Sequence, residues 1–318
     1  MCLVLMVGCS GQPSRNAATP SDNGVSTIAD LSAAPRPAVS PRRTRGDREK
    51  AIAAYRDYLG RYPDSPDHDK IARRLADLLI ENAADMQAAE PVAGNVPVRQ
   101  RDPVAIKGYS EAIAIYEQLL DKRPDDPDTA ELLYQLSRAY QETGQADLAI
   151  KAIDRLLEHP PAAHLRLYAD AQFRRGELLF GKGAYPQAVQ AYRTVVELGE
   201  SASAYEQALY KLGWSLFKQE HYDGALDVFF TLLDRKLPPG EDFTTRLAAL
   251  SRSEQEQLSE VFRVVSMSFA YQHGVESAAS YFKRHGGRIY ENRIYRELAE
   301  FYAGREQVTE AATTWLAL

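Results

Sequence analysis

The sequence predicts an all-α solenoid: about six helical hairpins side by side, behind an N-terminal tether too polar to build a core. Three observations predict it. First, an Ala followed four residues later by a large residue recurs at Ala51–Tyr55, Ala112–Tyr116, Ala149–Ile153, Ala188–Tyr192, Ala225–Phe229, Ala278–Phe282 and Ala311–Trp315. A four-residue gap puts both side chains on one face of a helix. Second, successive Ala anchors lie 61, 37, 39, 37, 53 and 33 residues apart, so three central spacings cluster and the two long ones require insertions. Third, 45% apolar and 26% charged residues are the proportions of a soluble globular protein.

Residues 1–9, MCLVLMVGC, form an apolar run ending in Gly8-Cys9. This resembles the end of a bacterial lipoprotein signal peptide, whose cleavage box is apolar-x-small-Cys. The resemblance implies lipidation of Cys9, with Ser10 after it implying sorting to the outer membrane. No positively charged segment precedes the run, which points to a start placed too late or a truncated chain. The alternative is an unremarkable apolar N-terminus. Residues 10–46 are rich in Ser, Ala, Pro, Thr and Asn and poor in large apolar residues, the composition of a disordered linker.

Residues 47–127 are expected to hold degenerate repeats. A first helix starts near Asp47, taken as its cap, and ends at Pro63. A second covers Asp67 to about Met86, with Ile71, Leu75, Leu78 and Leu79 on one face. Pro91, Gly94 and Pro97 make 87–102 an inserted loop. Val104–Lys122 completes the hairpin before Pro124.

Residues 128–237 hold the best-formed repeats. Asp128–Glu158 carries Leu133, Leu136 and Tyr140, a turn at Gly144, then Ala149, Ile153 and Leu156. Leu167–Leu198 carries Gly176 and Leu179, a turn at Gly183, then Ala188, Tyr192 and Val195. Ala204–Leu237 carries Leu209, Leu212, Gly213 and Leu216, then Ala225, Phe229 and Leu232.

Residues 238–318 are again degenerate. Pro238, Pro239 and Gly240 interrupt the pattern, and Arg246–Leu250 forms a short helix. Ser253 caps Glu254–Tyr271, which pairs with Glu276–Arg284 and turns Phe262, Val265, Phe269 and Phe282 inward. Asn292–Ala303 and Val308–Leu318 place Leu298, Ala299, Tyr302, Ala311 and Trp315 at motif positions. The chain stops within this second helix with no polar cap. Solenoid ends normally carry one, so the natural protein is expected to continue, or this end to dock on a partner.

The order apolar-x2-Leu-Gly-x2-apolar, then Ala-x3-Phe, in Ala204–Leu237 resembles the tetratricopeptide (TPR) repeat. The resemblance is firm for 128–237 and looser across the rest of residues 47–318. It implies a right-handed superhelix whose first helices line a concave groove. In that family ligand-facing positions fall on the first helices, which here implies Tyr134, Arg138, Phe173, Glu177, Phe180, Tyr210, Trp214 and Phe217. Six of the eight are aromatic, suiting an apolar or extended partner segment. TPR domains that grip a terminal carboxylate use Lys and Asn there, and this sequence does not. The alternatives are that these aromatics pack on one another, or that the tether or an insertion fills the groove.

Chemistry has little to work with. Both cysteines, Cys2 and Cys9, lie in the first nine residues, leaving the repeats no disulfide, Cys metal site or thiol nucleophile. The histidines, His68, His159, His164, His221, His273 and His285, form no His-x3-His pair. Gly181-Lys182-Gly183 lacks the strand and spacing of a phosphate loop, and no Gly-x-Ser-x-Gly occurs. No enzyme, metal or cofactor is expected. A net charge of −6 without a long basic run disfavours a nucleic-acid partner.

The whole resembles TPR lipoproteins of the Gram-negative cell envelope, broadly BamD-like or CpoB-like. The expected function is a non-catalytic protein–protein scaffold at the periplasmic face of the outer membrane, taking part in envelope assembly. The alternatives are a non-catalytic part of a longer cell-wall or envelope processing enzyme, and a cytoplasmic TPR regulator.

Overall fold

The computed structural model describes residues 45–88, 102–124, 126–158, 165–240 and 242–318. The leader with Cys9, residues 10–44 of the expected linker, most of the inserted loop, His159 and His164 lie outside them; the last two linker residues, 45 and 46, belong to the first helix. Among the described residues there are fourteen α-helices and no strand. They are α1 (Arg45–Arg61), α2 (His68–Ala88), α3 (Pro103–Lys122), α4 (Thr129–Glu142), α5 (Ala146–Glu158), α6 (Leu165–Gly181), α7 (Tyr185–Glu197), α8 (Tyr205–Lys218), α9 (Tyr222–Lys236), α10 (Phe243–Ala249), α11 (Arg252–Ala270), α12 (Val275–His285), α13 (Glu291–Ala303) and α14 (Val308–Ala317). Six hairpins result: α2/α3, α4/α5, α6/α7, α8/α9, α11/α12 and α13/α14. Contacts link each hairpin to its sequence neighbours, the defining property of a solenoid.

The closest approaches follow one rule. Gly176 lies sixteen residues before Tyr192, Gly213 sixteen before Phe229, and Ser137 sixteen before Ile153. A Cβ built on Gly176 would stand 2.5 Å from the Tyr192 ring, and one on Gly213 would stand 2.7 Å from the Phe229 ring. The small residue of the first helix is therefore the floor on which the large residue of the second helix lies. Tyr192, Phe229 and Ile153 are fully buried, as are the anchors Ala149, Ala188 and Ala225.

The hairpin turns also repeat. Gly144 (φ +79°), Gly183 (φ +74°), Glu220 (φ +60°) and Glu306 (φ +61°) take the left-handed conformation. In each case the next N–H bonds the carbonyl five residues back: Gln145 to Tyr140 at 2.8 Å, Ala184 to Leu179 at 2.9 Å, His221 to Leu216 and Gln307 to Tyr302 at 3.0 Å. This satisfies the last carbonyls of the first helix.

Several expectations need correction. Asp47 does not cap α1; the helix starts at Arg45, and Asp47 sits in its first turn. Ser253 does not cap α11. Ser251 does, in a capping box: its hydroxyl accepts from the Glu254 N–H at 3.3 Å, and Glu254 accepts from the Ser251 N–H at 3.0 Å. The glutamate three residues after Ser251 was the usable signal. The short helix begins earlier than Arg246, capped by Asp242. Trp315, at an expected inward position, is 44% exposed, because α14 is packed by α12 and α13 from one side.

The fifth hairpin departs most. Its two helices approach far less closely than those of any other. Aromatic rings fill the gap: Phe230 of α9 stacks on Tyr281 of α12 at 4.3 Å, and Phe269 of α11 lies 6.4 Å from Phe282. Tyr290 closes this cluster, 5.8 Å from Phe262, with its hydroxyl on Asp234.

Gly213→Ala is expected to lower stability by about 1–3 kcal/mol, since the ring beneath it cannot retreat in a packed core. Gly60→Ala, with nothing within 4 Å, should be neutral or slightly stabilising; paired thermal melts check both. The Ser251 hydroxyl first and Lys236 second hold the Glu254 carboxyl well below the usual carboxylate range, at about 2. Its stabilising contribution is complete above pH 4.5 and is lost as the pH falls toward 2. Melting temperature measured against pH in that window should therefore fall less steeply for Glu254→Gln than for wild type.

Candidate partner-binding face

The first helices α2, α4, α6, α8, α11 and α13 carry the candidate face. All eight residues anticipated for it are half-buried, and all have neighbours. On α4 the Tyr134 ring lies under the Arg174 guanidinium of α6, 5.6 Å away. Arg138 donates to Gln135 at 2.9 Å. On α6 Phe173 packs on Tyr192 at 5.7 Å. Phe180 meets Tyr185 edge-on at 5.3 Å and lies under Lys211 of α8, also at 5.3 Å.

Glu177 is committed elsewhere than to a ligand. It accepts from the Tyr192 hydroxyl and pairs with Lys211 at 3.1 Å. Burial first and Glu177 second push the Tyr192 hydroxyl pKa upward. The same arrangement recurs in α2/α3, where Tyr116 donates to Asp77 at 2.7 Å. In both hairpins an acid follows the small residue of the first helix, Asp77 after Ala76 and Glu177 after Gly176. Where the large residue opposite is Ile153 or Phe229, no hydroxyl needs an acceptor, and Arg138 or Trp214 stands in that place.

Tyr210, Trp214 and Phe217 do come together on α8. Trp214 is edge-on to Tyr210 at 6.4 Å, to Phe217 at 5.7 Å and to the buried Phe229 at 6.4 Å. Its indole N–H is buried and makes no hydrogen bond of good geometry. The neighbouring Tyr210 hydroxyl is directed at Glu260 of α11, 2.5 Å away. Burial and then Glu260 raise that hydroxyl to about 12, opposed by the Trp214 indole and Arg263. The row continues along the turns: Phe217 to Tyr222 at 5.7 Å, Tyr222 to Tyr271 at 5.6 Å, Tyr271 to Phe301 at 6.0 Å. Arg305 lies over Phe301 at 4.4 Å and over Tyr271 at 5.8 Å. Tyr271 is 41% exposed.

Sequence reasoning missed Arg174, Lys211, Tyr222, Tyr271 and Glu260. Arg174 and Lys211 each follow a residue that it did find, Phe173 and Tyr210, so a one-residue margin would have caught them. Tyr271 had no such signal, because its position depends on where the insertion after α9 sets α11.

The aromatics therefore pack on one another and under cations, and they also remain half-exposed as a wall. At the N-terminal half of α8 this wall borders a cleft of about 720 Å³ lined by Tyr205, Tyr210, Arg235, Lys236 and several glutamates. Among the described residues no group of three or more His, Cys, Asp or Glu is placed to hold a metal ion. No helix among them is long and apolar enough to cross a membrane.

Comparison with known proteins agrees with this repeat structure. The tetratricopeptide repeat pattern matches residues 106–163, 134–205 and 173–240, and a second tetratricopeptide repeat pattern matches 40–65. The TPR repeat-containing protein YpiA of Bacillus subtilis (strain 168) is 25% identical over 223 residues, which are 68% of this chain and 44% of YpiA. The chain thus spans less than half the length of that relative. Among solved structures, MamA is 20% identical with a TM-score of 0.44, over 66% of this chain and 95% of MamA. A tetratricopeptide repeat protein from Parabacteroides merdae ATCC 43184 is 14% identical with a TM-score of 0.45, over 86% of each chain. With its hairpins, its small-on-large contacts and its matched segments together spanning just over half of its length, the chain belongs to the tetratricopeptide repeat family.

Proposed function

We propose that the chain is a non-catalytic scaffold that holds a partner protein on the face of its first helices. The observation that carries this reading is the half-exposed aromatic row from Tyr210 through Trp214, Phe217 and Tyr222 to Tyr271. Aromatic rings held rigid by their neighbours lose little entropy on contact and offer a large apolar area, which makes them common anchors of protein interfaces. Trp214 is central in that row, with Tyr210 and Phe217 on either side. A photo-crosslinker at position 214 should attach a defined partner in cells. Trp214→Ala with Phe217→Ala should weaken capture of that partner about tenfold or more, as anchor residues do, with helicity unchanged. Unchanged capture would reject the site.

We further propose that the scaffold works at the periplasmic face of the outer membrane, tethered through a lipid on Cys9. Supporting this are the apolar run before Gly8-Cys9 and the polar, Pro-rich stretch after it. A lipid on Cys9 would raise the local concentration of the face near the membrane, where it would serve envelope assembly. Expressed behind a complete lipoprotein leader, the protein should incorporate labelled palmitate, and Cys9→Ala should abolish the label. An unlabelled wild type would overturn the anchor.

A further inference from the structure

The cleft beside Tyr210 lies between α8, the end of α9 and the start of α11, and about 720 Å³ is ample for one or two side chains. Its charge is lopsided. Glu200, Glu206, Glu254, Glu256 and Glu260 line it against Arg235 and Lys236. Half of it is already satisfied from within. The Arg235 guanidinium lies 5.5 Å over the Tyr205 ring and pairs with Glu200 at 2.5 Å and Glu206 at 2.8 Å. Lys236 joins Glu206 at 2.6 Å and Glu254 at 2.9 Å. Burial alone would raise the Glu206 pKa, and the two cations outweigh it and hold it low.

The other half repeats these parts without the cation. Tyr210, Glu256 and Glu260 line it together. Glu256 pairs only outward, with Arg252 at 2.9 Å, and the two side chains are 67% and 92% exposed, so that pair is weak. Glu260 accepts the Tyr210 hydroxyl. Arg263, one turn further along α11, acts on the Tyr210 hydroxyl from outside: it is exposed and does not line the cleft. Resting on the scaffold reading above, we infer that this half-cleft takes an arginine of an extended basic segment of the partner protein, whose apolar residues lie along Trp214, Phe217 and Tyr222. A guanidinium there would stack on Tyr210 and pair with both carboxylates, as Arg235 does with Tyr205, Glu200 and Glu206. Arginine suits the place better than lysine, because its planar fork serves a ring face and two acceptors together. Charge complementarity chooses the occupant: the cleft lining carries five negative groups and two positive ones. An acidic segment would meet repulsion there.

The probe is a fluorescein-labelled dodecapeptide in which arginines alternate with Leu-Pro pairs, with a counterpart carrying glutamate for every arginine. Anisotropy titrations use the full chain, wild type and the double variant Glu256→Lys, Glu260→Gln. The arginine peptide should bind at least about tenfold tighter than the glutamate peptide, with affinity falling as salt rises. The double variant should lose about tenfold or more while keeping its helical circular dichroism and melting temperature. Equal binding of the two peptides, or undiminished binding by a folded double variant, overturns the inference. If the arginine peptide fails while the crosslinker at position 214 still attaches a partner, the arginine site is wrong and the scaffold stands. If both fail, both are wrong.

Discussion

The structure depends on one steric bargain: a side chain that is missing from the first helix of a hairpin makes room for a ring on the second. Gly176 under Tyr192 and Gly213 under Phe229 let the paired axes come close enough for the anchors Ala188 and Ala225 to vanish from the surface. Each large ring is then packed against an aromatic of its own first helix, Tyr192 on Phe173 and Phe229 on Trp214. A single hairpin could not hide that ring by itself, so the contact couples formation of one repeat to the presence of its neighbour.

The bargain also shapes the outer face. The residue after the small position projects toward the first-helix side, and what it may be depends on the ring behind it. Tyr116 and Tyr192 need acceptors for buried hydroxyls, because an unpaired buried hydroxyl is costly, and Asp77 and Glu177 supply them. Phe229 makes no such demand, and Trp214 occupies the place. Core chemistry thus decides which parts of the face are tied up and which present an aromatic surface. The α8/α9 hairpin is the one where that place goes to an aromatic ring, and it borders the cleft with the unbalanced charge.

Much of the fold was legible in the sequence because it rests on local periodicity. The Ala anchors, the apolar stripes and the turns at Gly144 and Gly183 are all encoded within about forty residues, and they emerged where expected. Single-residue caps were less legible: Ser251 and Ser253 both suit the role, and the choice lay with Glu254 reaching back. The face was only half legible. Position in the repeat pointed to Tyr210, Trp214 and Phe217, which the fold brings together on α8, whereas it gave no hint that Glu177 serves the buried Tyr192 hydroxyl. The pairing of Tyr210 with Glu260 spans fifty residues and an insertion, and no local pattern encodes it. Trp315 fell short of its inward role for the same reason, since burial at that position depends on a second wall.

The loosely apposed α11 and α12 give the array an uneven temper. Elsewhere adjoining helices interlock along their length, whereas this pair meets mainly through a plug of rings around Phe230 and Phe269. In a row of nearest-neighbour links, cooperativity ends at the weakest link. α11 itself packs on both α9 and α13, so the row of hairpins stays continuous there, and it is α12 that is held chiefly by ring contacts. Local opening is therefore expected to start at α12 sooner than at the helices that join one hairpin to the next.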